Sequence, residues 1–427
     1  MSPEIISIIA LGVMFVVATV LPINIGILAF IGAFVVGTVV LGLDGESLFE
    51  GFPASLFVTI VGVTYLFSVA KLNGTIDLLV QSGVRLVRGR TSLVPWVLFV
   101  VAAVLTAFGT FTPAAVALLV PVGMNFAARH GMSPLMIGMM VISGAHAGAF
   151  SPIAVSGVLV MGMVAQTSLT VSSSVLFFAS FAFNLVLSLV TYGLLHWRRP
   201  KLVAHAAGPK TVVDESSTTE SSSDKRAPTT WQQRATLLAL LGLVLGALVL
   251  HLPIGFLALA AGALLGLFNM RDQSKAIDGI SWSTILLVAG MVTYVGILEQ
   301  AGTIEMVSQG AVSLGAPLLV TLMLCFTVGI TSAFASSTAI ITAVIPMAVP
   351  LLLSSSLPAA GVIAAMSIST TIVDVSPFST NGALVLANVH GVDRTRFYRQ
   401  LIAYTGGIIA VGPLAAWAAL VLLGIGV

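Results

Sequence analysis

Charge is nearly missing from this chain. Asp, Glu, Lys and Arg make up 7% of its 427 residues, against about 25% in an ordinary soluble protein. So little charge excludes a solvated surface of normal extent, and no nucleic-acid partner is expected. Cysteine is reduced to one, Cys325, which rules out an internal disulfide and reads as a small apolar filler. The N-terminus lacks the basic region and small-residue cleavage site of a secretory signal, so the first apolar span is expected to be retained. A Walker A sequence with its Gly-Lys pair is missing, which disfavours an ATP-driven pump. An intramembrane hydrolase is disfavoured too, because there is no HExxH and His146 is the only His well inside a span. His146 near Ser151 could be imagined as a dyad, but a satisfied interior histidine is far commoner. No organic cofactor is expected. Alternating short strands, the mark of a transmembrane barrel, are also absent.

What the chain has is hydrocarbon: 58% of its residues are hydrophobic. Apolar runs of about 20 residues, enough to cross a bilayer, recur along most of its length. The expected fold is an all-α polytopic membrane protein. Uninterrupted spans are predicted over 5–22, 24–42, 54–71, 172–197, 233–250, 252–269, 282–299 and 400–425. Four further segments, 93–128, 133–165, 316–353 and 357–388, carry Gly, Pro, Ser or Thr near their centres. Residues 198–232 are too polar and small to pack a core and read as a flexible cytoplasmic linker.

The stretches on either side of that linker echo each other. Gly74-Thr75-Ile76-Asp77 is matched by Gly302-Thr303-Ile304-Glu305, and TPAAVALLVP (112–121) by STAIITAVIP (337–346). The offset of the second match, without a gap, carries Ser151-Pro152 onto Ser376-Pro377 and Gly157 onto Gly382. The expected organisation is a first repeat over 1–197, the linker, and a second repeat over 233–427. If 93–128 and 316–353 each dip in and return, every half has five full crossings, and an odd number inverts the second repeat. Placing the linker in the cytoplasm puts every Lys and Arg on that side and both termini outside, as the positive-inside rule prefers. Two full spans in place of each hairpin would keep the same parity. Short amphipathic stretches before each hairpin, around Ile76–Val87 and Ile304–Leu314, are expected to lie in the interface plane.

Broken helices at membrane depth are tolerated only where they are buried in protein or line a cavity. Thr112 is expected as an N-cap with Pro113 at the first helical position. Ser151-Pro152 and Ser376-Pro377 repeat that arrangement, and Ser336-Ser337-Thr338 supplies a fourth cap. Four helix N-termini would then converge near the midplane, where their N–H groups and dipoles favour an anion. The expected substrate-binding residues are Thr112, Pro113, Ser151, Pro152, Ser337, Thr338, Ser376 and Pro377. No Arg or Lys is predicted at that depth, so a bound cation would help balance a carboxylated substrate. The polar knot DVSPFSTN (374–381) suits this role, with Asp374, Ser336, Ser379, Thr380 and Asn381 as candidate Na⁺ ligands. Against it stand a proton shuttle through Asp374 and His146, and a structural reading in which Asp374 caps a broken helix or faces the cytoplasmic mouth.

These motifs resemble the ion-transporter superfamily, within it the malonate and dicarboxylate carriers of the MatC type, and more distantly the sodium–dicarboxylate symporters. The specific residues lie within 106–160 and 331–385. In the symporters a Ser-Asn-Thr triplet occupies each hairpin tip. Here the tips are Phe111-Thr112-Pro113 and Ser336-Ser337-Thr338, and an Asn occurs instead at Asn381. The resemblance implies a secondary transporter of small dicarboxylates, malonate or C4 type, coupled to sodium, with a proton-coupled carrier or anion exchanger as the alternative and a passive channel behind it. It also implies a homodimer in a bacterial inner membrane, with a scaffold domain and a transport domain that moves like an elevator.

Overall fold

The structure is a computed structural model that describes residues 2–21, 23–85, 91–165, 167, 169–197, 230–250, 252–268, 273–313, 316–334, 336–389 and 392–424. Every regular element among them is helical. Before the linker come α1 (Pro3–Val20), α2 (Ile25–Val35, extended by a π turn Val36–Val40), α3 (Ala54–Leu72), α4 (Thr75–Arg85), α5 (Val94–Ala107), α6 (Thr112–His130), α7 (Pro134–Gly148), α8 (Val155–Val164) and α9 (Ser173–Trp197). After it come α10 (Trp231–Leu248), α11 (Ile254–Leu267), α12 (Gln273–Asp278), α13 (Trp282–Gln300) and α14 (Thr303–Ser313). The chain continues through α15 (Pro317–Ser332), α16 (Ser337–Ser354), α17 (Ala359–Ile372), α18 (Thr380–Ala387) and α19 (Arg394–Trp417, extended by a π turn Ala418–Leu422). The four segments expected to be interrupted are broken after Ala107, Gly148, Ser332 and Ile372, and their second helices start at Thr112, Val155, Ser337 and Thr380. The expected linker is shorter at its far end. Thr230 caps α10 through a reciprocal pair of bonds with Gln233, so helix starts inside the 198–232 range. Residues 198–229, and the basic residues Arg88, Arg90 and Arg271, lie outside the described residues.

Local chemistry sets the helix ends. Ser133 caps α7 by accepting from Met136 N, with Pro134 following at the first helical position. Gly131, at φ +62°, ends α6 in the left-handed conformation that a Cβ would disfavour. Asn24 does two jobs. Its Oδ1 accepts from Gly26 N at 2.8 Å, and its Nδ2 donates to the backbone and side chain of Ser283 at 2.8 and 2.9 Å. The start of α2 is thereby tied to the start of α13.

Packing separates two groups of helices. In the first, α2 lies along α13 and α11 lies along α3. A Cβ on Gly26 would run into the Leu286 backbone, and one on Gly290 into the Gly26 backbone. Gly62 and Gly255 meet in the same way, each without room for a Cβ against the other helix. Close backbone approach through small residues is how helices associate where lipid removes the hydrophobic drive. Each of these crossings joins a helix from before the linker to one from after it. In the second group α7 is sandwiched between α5 and α9, α17 packs on α15, α19 and α9, and α6 packs on α7. Its interior is continuous and apolar, with Ile137, Met139, Ile142, Phe150, Val362 and Ile368 fully buried. Contacts of α13 and α14 with α16, of α3 with α8, and of α4 with α5 join the groups. At the start of α4, Ile76 is buried while Asp77 and Gln81 are exposed, as its amphipathic pattern predicts.

Candidate functional site

The breaks in α7–α8 and α17–α18 are built alike. Ala154 N donates to Ser151 O at 3.0 Å, and Ser379 N donates to Ser376 O at 3.0 Å. Each Ser-Pro therefore opens a β-turn with Pro in the second position. The serine hydroxyls are used inside those turns, Ser151 Oγ accepting from Ile153 N at 3.4 Å and Ser376 Oγ from Phe378 N at 3.2 Å. Gly157 and Gly382 sit just beyond, where a Cβ would collide with the carbonyl oxygens of Ser151 and Ser376 respectively.

These turns correct the expected caps. Helix α8 starts at Val155 with Ala154 as its N-cap, and α18 starts at Thr380 with Ser379 as its N-cap. Ser151-Pro152 and Ser376-Pro377 are three residues too early, because a Ser-Pro pair serves a turn as readily as a helix start. Thr112 is the first residue of α6 rather than its cap, which is Phe111. Ser336 is the N-cap of α16, as expected, although its side chain makes no capping bond. Ser379 Oγ does cap, accepting from Gly382 N at 3.3 Å while donating to Ser376 O at 2.7 Å.

A cavity of about 490 Å³ lies where the two helix groups meet. All four broken segments reach it from the first turn of their second helix: Thr112 and Pro113 from α6, Ser156 from α8, Ser337 and Thr338 from α16, and Thr380 from α18. Ser336, Asp374 and Ser379 also line it, whereas Ser151, Pro152, Ser376, Pro377 and Asn381 do not. Sequence reasoning missed Ser156, the α13 start at Ser283 and Thr284, Asn24, Thr371, and three aromatic rings, Phe15, Phe334 and Phe378. Ser156 could have been found, since the offset that pairs Ser151 with Ser376 pairs it with Asn381. Among the described residues lining the cavity there is no Lys or Arg. Helix N-termini, hydroxyl protons and the His146 ring are the groups there that can favour an anion.

A buried polar cluster reaches the cavity through His146, Ser337 and Asp374 and continues behind it to Asn381. Asn381 Nδ2 donates to Asp374 Oδ2 at 2.8 Å and stands 3.3 Å from His146 Nε2. His146 Nε2 is 3.7 Å from the same carboxylate oxygen, and Ser337 Oγ donates to it at 3.4 Å. Asn381 is fully buried, His146 and Asp374 nearly so. The amide thus turns its NH₂ toward Asp374. That orientation leaves Asn381 Oδ1 buried with no hydrogen-bond partner among the described residues. An unmet buried acceptor costs about 1–3 kcal/mol, and a hard cation is one group that relieves it. Asp374 joins α17 to the tip of the α15–α16 pair through Ser337, and to α7 through His146.

Residues 1–149 match the family model described as the dicarboxylate carrier protein MatC N-terminus. The resemblance to MatC-type carriers thus holds over the first third of the chain. Over 90% of its length the chain is similar in fold to 90% of a solved structure, the Alcanivorax borkumensis YdaH transporter, described as having an unusual topology, with a TM-score of 0.59 and 14% identity. No curated protein matches the chain. Together with its apolar helices, the chain is an integral membrane protein with a transporter fold.

Proposed function

We propose that this protein is a secondary active transporter of small dicarboxylates, of malonate or C4 type, and that it couples their movement to sodium. The observation that carries the reading is the meeting of four helix N-terminal turns on one cavity that has hydroxyls but no Lys or Arg. Backbone N–H groups and Thr112, Ser337 and Thr338 would hold the carboxylates. The MatC match over 1–149 supports a dicarboxylate as the cargo. Paired breaks, the matched turns at Ser151 and Ser376, and the reciprocal glycine crossings support two related repeats. We read these repeats as inverted, with 198–229 on the cytoplasmic side of a bacterial inner membrane and both termini outside. The two helix groups correspond to a scaffold and a moving domain of an elevator, in a homodimer.

Sodium is supported by the Asn381 Oδ1, which is buried without a partner among the described residues, with Asp374, Ser379 and Thr380 lining the adjacent cavity. One observation favours protons instead: His146 and Asp374 are 3.7 Å apart, two titratable groups in one buried cluster. Uptake of labelled malonate or succinate into proteoliposomes decides between them. Accumulation against a gradient, driven by inward sodium at symmetrical pH, is the expected result. Accumulation driven by a proton gradient without sodium would transfer the coupling role to Asp374 and His146. Equilibration without accumulation under either gradient would mark a channel.

A further inference from the structure

The cavity has a second character that the polar cluster does not explain. Phe334, at the tip between α15 and α16, and Phe378, in the turn between α17 and α18, both line it. Their rings stack with centroids 5.7 Å apart and planes inclined by 28°, and Tyr398 meets Phe378 edge-on at 6.5 Å. Both remain more than half exposed, at 58% and 59%. The offset that pairs Ser151 with Ser376 pairs Phe334 with Gly109 and Phe378 with Ile153. Gly109 has no such freedom. At φ +112°, it is pressed against Val63 and Phe67 of α3 and the Ile153 carbonyl, where even a Cβ would be 2.6 Å from Val63. The first tip is therefore sealed on its neighbours by a glycine and brings only the half-buried Phe111 to the cavity, while the tip at Phe334 and the turn at Phe378 bring a stacked, exposed pair of rings. Hydroxyls and helix ends recognise carboxylate oxygens; nothing in them reads the carbon between.

We propose that Phe334 and Phe378 form the hydrocarbon-reading wall of the site and determine which dicarboxylate is preferred, through the apolar carbon that packs on their rings. The inference rests on the dicarboxylate reading above and adds its selectivity. Carboxylates lie against Thr112, Ser337 and Thr338, and methylene or alkyl groups cover the exposed faces of the two rings. Burying a methylene is worth about fourfold in affinity, so the wall acts on ratios between ligands rather than on binding as such.

The test uses the purified full-length protein with sodium present and measures the affinities of malonate, methylmalonate and ethylmalonate. In the wild type each added carbon should tighten binding by about fourfold. Phe334→Ala and Phe378→Ala should flatten that series to within about twofold, while malonate itself changes by less than about threefold. Phe378→Leu, which keeps an apolar wall, should retain most of the slope, and it guards against a variant that merely folds badly. Wild-type ratios preserved in both alanine variants, or a wild type that does not distinguish the three ligands, would overturn the assignment while leaving the dicarboxylate reading intact. A wild type that binds none of the three, nor succinate, overturns both.

Discussion

Replacing Asn381 with Ala tests the proposed cation site separately from the proposed substrate site. In the structure Asn381 is fully buried, its NH₂ is 2.8 Å from Asp374 Oδ2, and its oxygen has no partner among the described residues. The substitution removes one charge-assisted hydrogen bond, about 1.5–3 kcal/mol, and with it a proposed sodium ligand. That corresponds to roughly tenfold to a hundredfold in the sodium concentration that half-saturates uptake. Substrate affinity should change far less, because Asn381 does not line the cavity whereas Thr112, Ser337 and Thr338 do. The assay is initial uptake into proteoliposomes, first titrating sodium at saturating dicarboxylate and then titrating dicarboxylate at saturating sodium. Half-saturation by sodium should rise at least tenfold, and the substrate constant should stay within about threefold. Asp374→Asn, which removes the charge and keeps the shape, should weaken sodium dependence without creating a new pH dependence. If Asn381→Ala leaves the sodium titration unchanged in a protein that still folds, the cation does not bind at this residue and the reasoning is refuted.

Thr112→Val and Thr338→Val keep side-chain shape and remove a hydroxyl from the cavity; each should weaken dicarboxylate binding by roughly tenfold, and unchanged apparent affinity in both would remove the tips from the binding site. Gly382→Ala and Gly157→Ala force a Cβ onto the carbonyls of Ser376 and Ser151, so both should lower the melting temperature and abolish uptake, whereas Gly193→Ala, which has open space, should do neither. For topology, single cysteines placed by Thr112→Cys and Ser336→Cys in a Cys325→Ala background should respond to impermeant thiol reagents in a substrate-dependent way. Rapid labelling of Thr112→Cys from outside, insensitive to substrate, would mean that 93–128 crosses completely.

Much of the fold was legible because lipid leaves few options for a helix end. The predicted breaks fell near Gly, Pro, Ser or Thr, and at the second tip Ser336 caps α16 as expected, whereas at the first tip the cap is Phe111 and not Thr112. Ser-Pro was harder to read. The same dipeptide suits the start of a helix and the second position of a β-turn, and only the bond from Ala154 N back to Ser151 O shows which was chosen. The site was half legible for a related reason. Thr112, Ser337 and Thr338 announced themselves by local chemistry, as did Asp374 by its charge. The contact of His146 with Asn381 joins residues on α7 and α18, and Ser283 arrives from α13. No local pattern encodes such meetings. Phe334 and Phe378 were hidden because exposed aromatics in an apolar chain read as ordinary lipid-facing surface.

The glycine crossings bear on how the chain is made. Helix α2 finds its main partner in α13, and α3 finds its own in α11, in each case across the segment that separates the two parts of the sequence. During synthesis, Gly26 and Gly62 emerge long before Gly290 and Gly255 exist. Until then their grooves must be filled by lipid or held by an insertion factor. A ribosome stalled after α9 would leave a fragment with two open small-residue faces, a ready substrate for membrane quality control. The same interlock allows rescue: residues 1–197 and 230–427, made as separate chains in one membrane, each carry the missing partner of the other.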